Sequence, residues 1–108
     1  MLMARVIIRP EKKELVLEEL SNAGFHAATV VDVVGRGKQK GIKIGNIVYD
    51  EIPKTLLMIA IENEDKEEFV QIILKYARTD TEGAYGDGKI FISPVDTAYT
   101  VSSGAQGL

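Results

Sequence analysis

"KTLLMIAIENEDKEEFVQIILKYAR", residues 54–78, changes its period partway along. "KTLLMIAIE" (54–62) is a short apolar run of strand length and predicts a β-strand. From Asn63 onward the apolar residues recur at helical spacing, and Phe69, Ile72, Ile73, Tyr76 and Ala77 fall on one stripe. Asn63 is placed to cap this helix, and the acidic residues behind it suit the positive end of the helix dipole.

The same strand-then-helix order appears upstream. "ARVIIR" (4–9) is short and rich in β-branched residues, so it predicts a strand that Pro10 stops. "EKKELVLEELSNAG" follows, with Val16, Leu20 and Ala23 on one face, Glu11 at the N-terminal end and Gly24 as a C-terminal cap. "FHAATVVDVVG" (25–35) predicts the second strand. "KIFISPV" (89–95) predicts the fourth, with Pro94 marking its end or an edge.

The order is βαββαβ. It predicts an α+β, ferredoxin-like sandwich over a single domain, 1–108, with both helices on one face of a four-stranded antiparallel sheet. Alternate residues of "VIIR" and "LLMIAI" leave the opposite face apolar as well, which points to oligomerisation.

Composition narrows the function. Hydrophobic residues make up 45% of the 108, enough for a globular core. No apolar run reaches the roughly 18 residues of a membrane span. "MLMARVIIRP" lacks a small-residue cleavage site, so it does not read as a signal peptide, and a cytoplasmic home is expected. The chain has no cysteine, which excludes disulfides and thiolate metal sites. A net charge of −3 argues against nonspecific nucleic-acid binding but leaves room for a local positive pocket. RNA-recognition domains share the βαββαβ order, yet they stack bases on sheet aromatics. The seven aromatics here include no paired set in the central strands, so no nucleic acid is expected.

Two loops stand out. "GRGKQKGIKIGNIVYDEIP" (35–53) carries Gly35, Gly37, Gly41 and Gly45 among Arg36, Lys38, Lys40 and Lys43, with no clean period. It reads as a long connection with room for a weak hairpin, and connections of that length are usually functional or disordered. "TDTEGAYGDG" (79–88) leads into the last strand. In "GDGKIF", glycines can turn backbone N–H groups toward an anion while Lys89 adds a charge. The spacing is not that of a P-loop, and a plain tight turn is the structural alternative. In the first loop a solvated flexible connection competes with a second anion clamp, where Gln39 offers an amide oxygen to a metal. Lys54 is surface decoration unless the first loop folds back over it. His26, the only histidine, reads as a strand residue, and no Ser-His-Asp set or carboxylate pair is evident. Binding loops without catalytic machinery predict a non-enzyme.

These loops, in this order, resemble those of the PII (GlnB-like) nitrogen-regulatory signal proteins. The resemblance covers "RVIIRPEK", "VVDVVGRGKQKGI", "EIPKTLLMIAIE" and "GDGKIFISPV", and the pairing of the two loops is more specific than either alone. "GNIVYDEIPK" is similar to the nitrogenase-associated branch. The resemblance implies a homotrimer binding ATP or ADP between subunits, with a T-loop at about 36–53, a B-loop at about 79–89 and a C-terminal tail at about 96–108.

By position, Thr29, Gly35, Gly37 and Lys38 would line the nucleotide site, and Gly86, Asp87, Gly88 and Lys89 would hold its phosphates. Gln39 would bind a magnesium ion that chelates 2-oxoglutarate, with Gly41 beside it and Lys54 pairing with that ligand's distal carboxylate. Ile42, Lys43, Ile44, Asn46 and Tyr49 would meet a partner, which the branch implies is a nitrogenase component, in a complex shared with a PII paralogue. The chain departs from the family where Thr100 and Ser102 replace two phosphate-contacting arginines. The B-loop is also longer, Glu82 replaces a Ser or Thr, and Tyr49 does not align with the modified tyrosine of enteric relatives. Two alternatives follow: a partner subunit whose nucleotide site has decayed, or a regulator of an ammonium transporter or glutamine synthetase.

Overall fold

A computed structural model describes residues 1–36, 42–44, 47–49 and 51–108, with backbone alone for the two short middle stretches. The order is β1 (Leu2–Ile8), α1 (Lys13–Asn22), β2 (Thr29–Gly35), β3 (Ile42–Ile44), β4 (Ile47–Tyr49), β5 (Ile52–Ile61), α2 (Lys66–Tyr76) and β6 (Gly88–Pro94). A single 3₁₀ turn precedes each helix, at Pro10–Lys12 and Asn63–Asp65.

The main sheet runs β2-β5-β1-β6 with every neighbour antiparallel. This is the expected ferredoxin-like sandwich. The long connection does contain a pair of short strands, β3 against β4, in a separate two-stranded sheet.

Alternation along the strands builds the core. Ala4, Val6 and Ile8 of β1 and Leu57, Ile59 and Ile61 of β5 point to one face. There they meet Val16 and Leu20 of α1 and Phe69, Ile73 and Ala77 from α2 and its end. Burying each larger side chain contributes about 1.5–3 kcal/mol. Both helices therefore cover the same face. The opposite face carries Met3, Ile7, Val31, Leu56, Met58 and Phe91, and Phe91 is half exposed.

Three local expectations are corrected. The second strand begins at Thr29, not at residue 25. The α1 terminus closes as a Schellman motif, with Gly24 N–H donating to Ser21 O and Phe25 N–H to Leu20 O. Phe25 then turns inward to meet Phe69 edge-on at 5.5 Å, and residues 25–28 form a connection. His26 lies in that connection, its Nδ1 2.9 Å from Ser21 Oγ. Asn63 does not cap α2: its Oδ1 accepts from the Met1 amine at 2.6 Å, while Asp65 occupies the cap position without a side-chain bond. Beyond β6, Tyr99 and Gln106 of the tail form an isolated antiparallel bridge.

Candidate functional site

Strand register brings the site together. Gly35 ends β2 opposite Ile52, and Lys54 lies two residues further along β5, opposite Val33. Gly88 opens β6 opposite Ile8, and Lys89 faces Ile7. Since Ile8 also pairs with Thr55, the end of β2, the start of β5, the end of β1 and the mouth of the 79–87 loop meet at one end of the sheet.

The loop's shape depends on glycine. Gly88 has φ +127°, and a Cβ there would lie 1.8 Å from Ile7 O. Gly86 has φ +89°, and a Cβ there would lie 3.2 Å from Arg9 Nη2 and 3.5 Å from Lys54 Nζ.

Two cations, one just past β1 and one on β5, hold the loop. Arg9 donates through Nη2 to Tyr85 O at 2.7 Å and through Nε to Asp87 Oδ1 at 2.9 Å. Lys54 Nζ donates to Gly86 O. Asp87 also accepts from Thr79 N–H at 3.0 Å, Thr79 Oγ1 at 2.7 Å and Ala84 N–H at 2.7 Å. Burial pushes the Asp87 carboxyl up, but the bonds from Thr79, Arg9 and Ala84 outweigh it and hold it well below its ordinary value. Lys54 is lowered, first by burial and then by the neighbouring Arg9 charge, with Glu11 and Asp87 opposing. An anion arriving beside Lys54 would reverse that shift.

A cavity of about 340 Å³ opens at this junction. Arg36, Lys54 and Lys89 give it positive charge, and Gly35, Gly86 and Gly88 expose backbone. Ile7, Ile52, Tyr85 and Phe91 form an apolar and aromatic wall. Such a lining suits an anion that carries a flat or apolar body. A larger cavity of about 480 Å³ lies on the helix side, walled by Ile73, Leu74, Ala77 and Ile90. It shares Gly88 and Lys89 with the smaller cavity, but among the described residues only the smaller one is also lined by Gly35, Arg36 and Lys54, so the smaller cavity is the better candidate.

The structure therefore brings Gly35, Lys54, Gly86, Gly88 and Lys89 into one place. Thr29 lies elsewhere, at the other end of β2, about 20 Å along the strand from Gly35. Asp87 is in the loop, but its carboxylate faces inward to Thr79, Ala84 and Arg9. Gly37, Lys38, Gln39, Gly41 and Asn46 lie outside the described residues, as do the side chains of Ile42, Lys43, Ile44 and Tyr49. Glu82 is exposed and does not line the cavity. Thr100 and Ser102 are exposed on the tail. Among the described residues, no group of three or more His, Asp or Glu could hold a metal.

Sequence reasoning missed Arg9 and Thr79, whereas Arg36 belongs to the basic set of the first loop. Arg9 read as the last residue of a strand, and only its position before Pro10, level with the second loop, could have drawn attention to it.

Fold and cleft together define a ferredoxin-like domain with a positively charged, partly aromatic cleft at one end of its sheet. The chain belongs to the nitrogen regulatory protein P-II family, whose profile matches residues 1–105. It is 52% identical over 108 residues to "Nitrogen fixation nifHD region glnB-like protein 1" of Methanococcus maripaludis, covering all of both chains. It is 54% identical, again over the whole of both, to the protein of the same description from Methanothermobacter marburgensis. "Nitrogen regulatory protein P-II 2" of Methanothermobacter thermautotrophicus is 44% identical over 105 residues, covering 94% of this chain and 89% of that one. No helix among the described residues is long and apolar enough to cross a membrane.

Proposed function

We propose that this chain is a cytoplasmic, non-enzymatic effector sensor that controls nitrogenase through protein contacts. It binds ATP or ADP, and 2-oxoglutarate with Mg2+, in clefts at the boundaries of a homotrimer. Its T-loop docks on or releases a nitrogenase component according to which ligand is bound, alone or beside a PII paralogue. The observation that carries this reading is the cavity of about 340 Å³, where segments distant in sequence bring Gly35, Lys54, Gly86, Gly88 and Lys89 to one positive, partly aromatic cleft. The nif-region names of relatives about half identical over their whole length support the choice of target.

Lys54 and Lys89 supply charge for the anion, and the glycine backbone allows close approach. The apolar open face of the sheet gives copies a surface to share, and a shared boundary would let Thr29 of one copy contribute to a cleft on another. Gln39 would hold the metal that chelates 2-oxoglutarate. A ligand changes the T-loop only through different affinity for its two states.

Calorimetry with ATP, ADP and 2-oxoglutarate, each with and without Mg2+, tests this. Nucleotide binding below millimolar concentration is expected, and no binding even with the paralogue present would sink the proposal. Nucleotide binding without 2-oxoglutarate binding would remove Gln39 and Lys54 from the site.

One observation favours the partner-subunit reading instead. Thr100 and Ser102 stand where phosphate-contacting arginines are expected, and Thr100 N–H is spent on Ala105 O at 2.8 Å. On that reading, pull-down stoichiometry with target or paralogue would not change with ligand.

A further inference from the structure

The grip on phosphate proposed above leaves the Asp87 side chain unassigned. We infer that Asp87 is a positioning residue: with Thr79 and Arg9 it fixes the 79–88 loop so that Gly86 and Gly88 face the cleft, and it touches neither the nucleotide nor its metal. This deepens the nucleotide reading and rests on it.

An ionised carboxylate has about four acceptor positions. Here four donors occupy them. Oδ1 accepts from Arg9 Nε and Thr79 Oγ1, and Oδ2 accepts from Thr79 N–H and Ala84 N–H, all within 3.0 Å. No position remains for a ribose hydroxyl, and a metal would have to displace a donor. The Asp87 N–H is also engaged, closing a turn onto Ala84 O at 3.2 Å.

The donors come from three places. Thr79 follows the end of α2, Arg9 follows β1, and Ala84 lies inside the loop. One carboxylate thus ties the end of a helix to the end of a strand. Gly86 and Gly88, both at positive φ, flank it directly, so its location sets theirs. The Asp87 side chain is only 15% exposed, so water competes weakly for these bonds. Arg9 braces the loop from the other side, donating through Nε to Asp87 and through Nη2 to Tyr85 O.

Calorimetry with ATP, with and without Mg2+, on wild type, Asp87→Asn, Thr79→Val and Thr79→Ser tests the inference. Asp87→Asn should weaken ATP at least tenfold, by the same factor whether or not magnesium is present. Thr79→Val should weaken it several-fold, and Thr79→Ser, which keeps the hydroxyl, should restore wild-type affinity. Hydrogen exchange should quicken across 79–88 in the weakened variants while β1 and β5 stay slow. The inference is overturned if Asp87→Asn binds ATP within twofold of wild type. A loss seen only with Mg2+ also overturns it, since that would make Asp87 a metal ligand. Wild-type protein that binds no ATP overturns both readings together, whereas wild-type binding matched by Asp87→Asn overturns this one alone.

Discussion

Two glycine-bearing segments flank β6, and they are held in opposite ways. The loop before it is braced from outside, by Arg9 at the end of β1 and Lys54 on β5. The tail after it closes largely on itself: Thr100 N–H donates to Ala105 O, Gly104 N–H to Thr100 O and Gly107 N–H to Ala98 O. Val101 at the turn is 99% exposed. Both segments use positive-φ glycines, so glycine alone does not make a site. The difference is charge supplied by neighbouring strands, which holds one loop over a cleft and leaves the other a self-contained turn.

The comparison breaks most sharply at Gly88. A methyl group there would enter the space of Ile7 O, and the φ of +127° is one that L side chains rarely adopt. Neither strain relaxes without opening the β1–β6 ladder at its first pair. Gly88→Ala should cost about 3 kcal/mol or more, the range of severe backbone and packing faults. Urea unfolding would show it as a lowered midpoint, and an unchanged midpoint would mean the loop enters β6 by another path.

Asp87 gives the next effect. Its folded carboxyl titrates below the ordinary value of 3.8, so its contribution to stability is complete above that pH and fades only as pH falls further. Asp87→Asn should lose about 1.5–3 kcal/mol near neutrality, the scale of hydrogen bonds to a charged group. The deficit against wild type should shrink as the wild-type carboxyl is itself protonated in strong acid. Denaturant midpoints at neutral pH and in acid would test this, and a deficit independent of pH would mean that the amide fails sterically and not for want of charge.

How much of this was legible in the sequence follows from how far each interaction reaches along the chain. The βαββαβ order was readable because each element carries its own local signal: a short unbroken apolar run in "LLMIAI", and helical spacing from Phe69 to Ala77. The two loops were readable because glycine and lysine sit next to each other in sequence. Arg9 and Thr79 were not, since they meet Asp87 only through the β1–β6 register and the exit of α2. Asn63 read as a cap by local rule, but the Met1 amine, distant in sequence, claims its side chain. The strand expected from residue 25 failed for a similar reason, because contact with Phe69 outweighs the β propensity of Phe25.

The smallest expected effect is at Gly104, and it sharpens the contrast with Gly88. Gly104 also has positive φ, at +71°, but a Cβ there meets nothing within 4 Å. Only the intrinsic cost of the left-handed conformation remains, about 1–2 kcal/mol for a side chain with a Cβ. Because the tail's bonds stay within residues 98–107, that cost falls on the turn and not on the sheet. Gly104→Ala should therefore leave the global denaturation midpoint nearly unchanged while quickening amide exchange at Thr100, Gly104 and Ala105. A global loss as large as that of Gly88→Ala would show that the tail is as tightly coupled to the core as the loop is, and that self-closure does not separate the two segments.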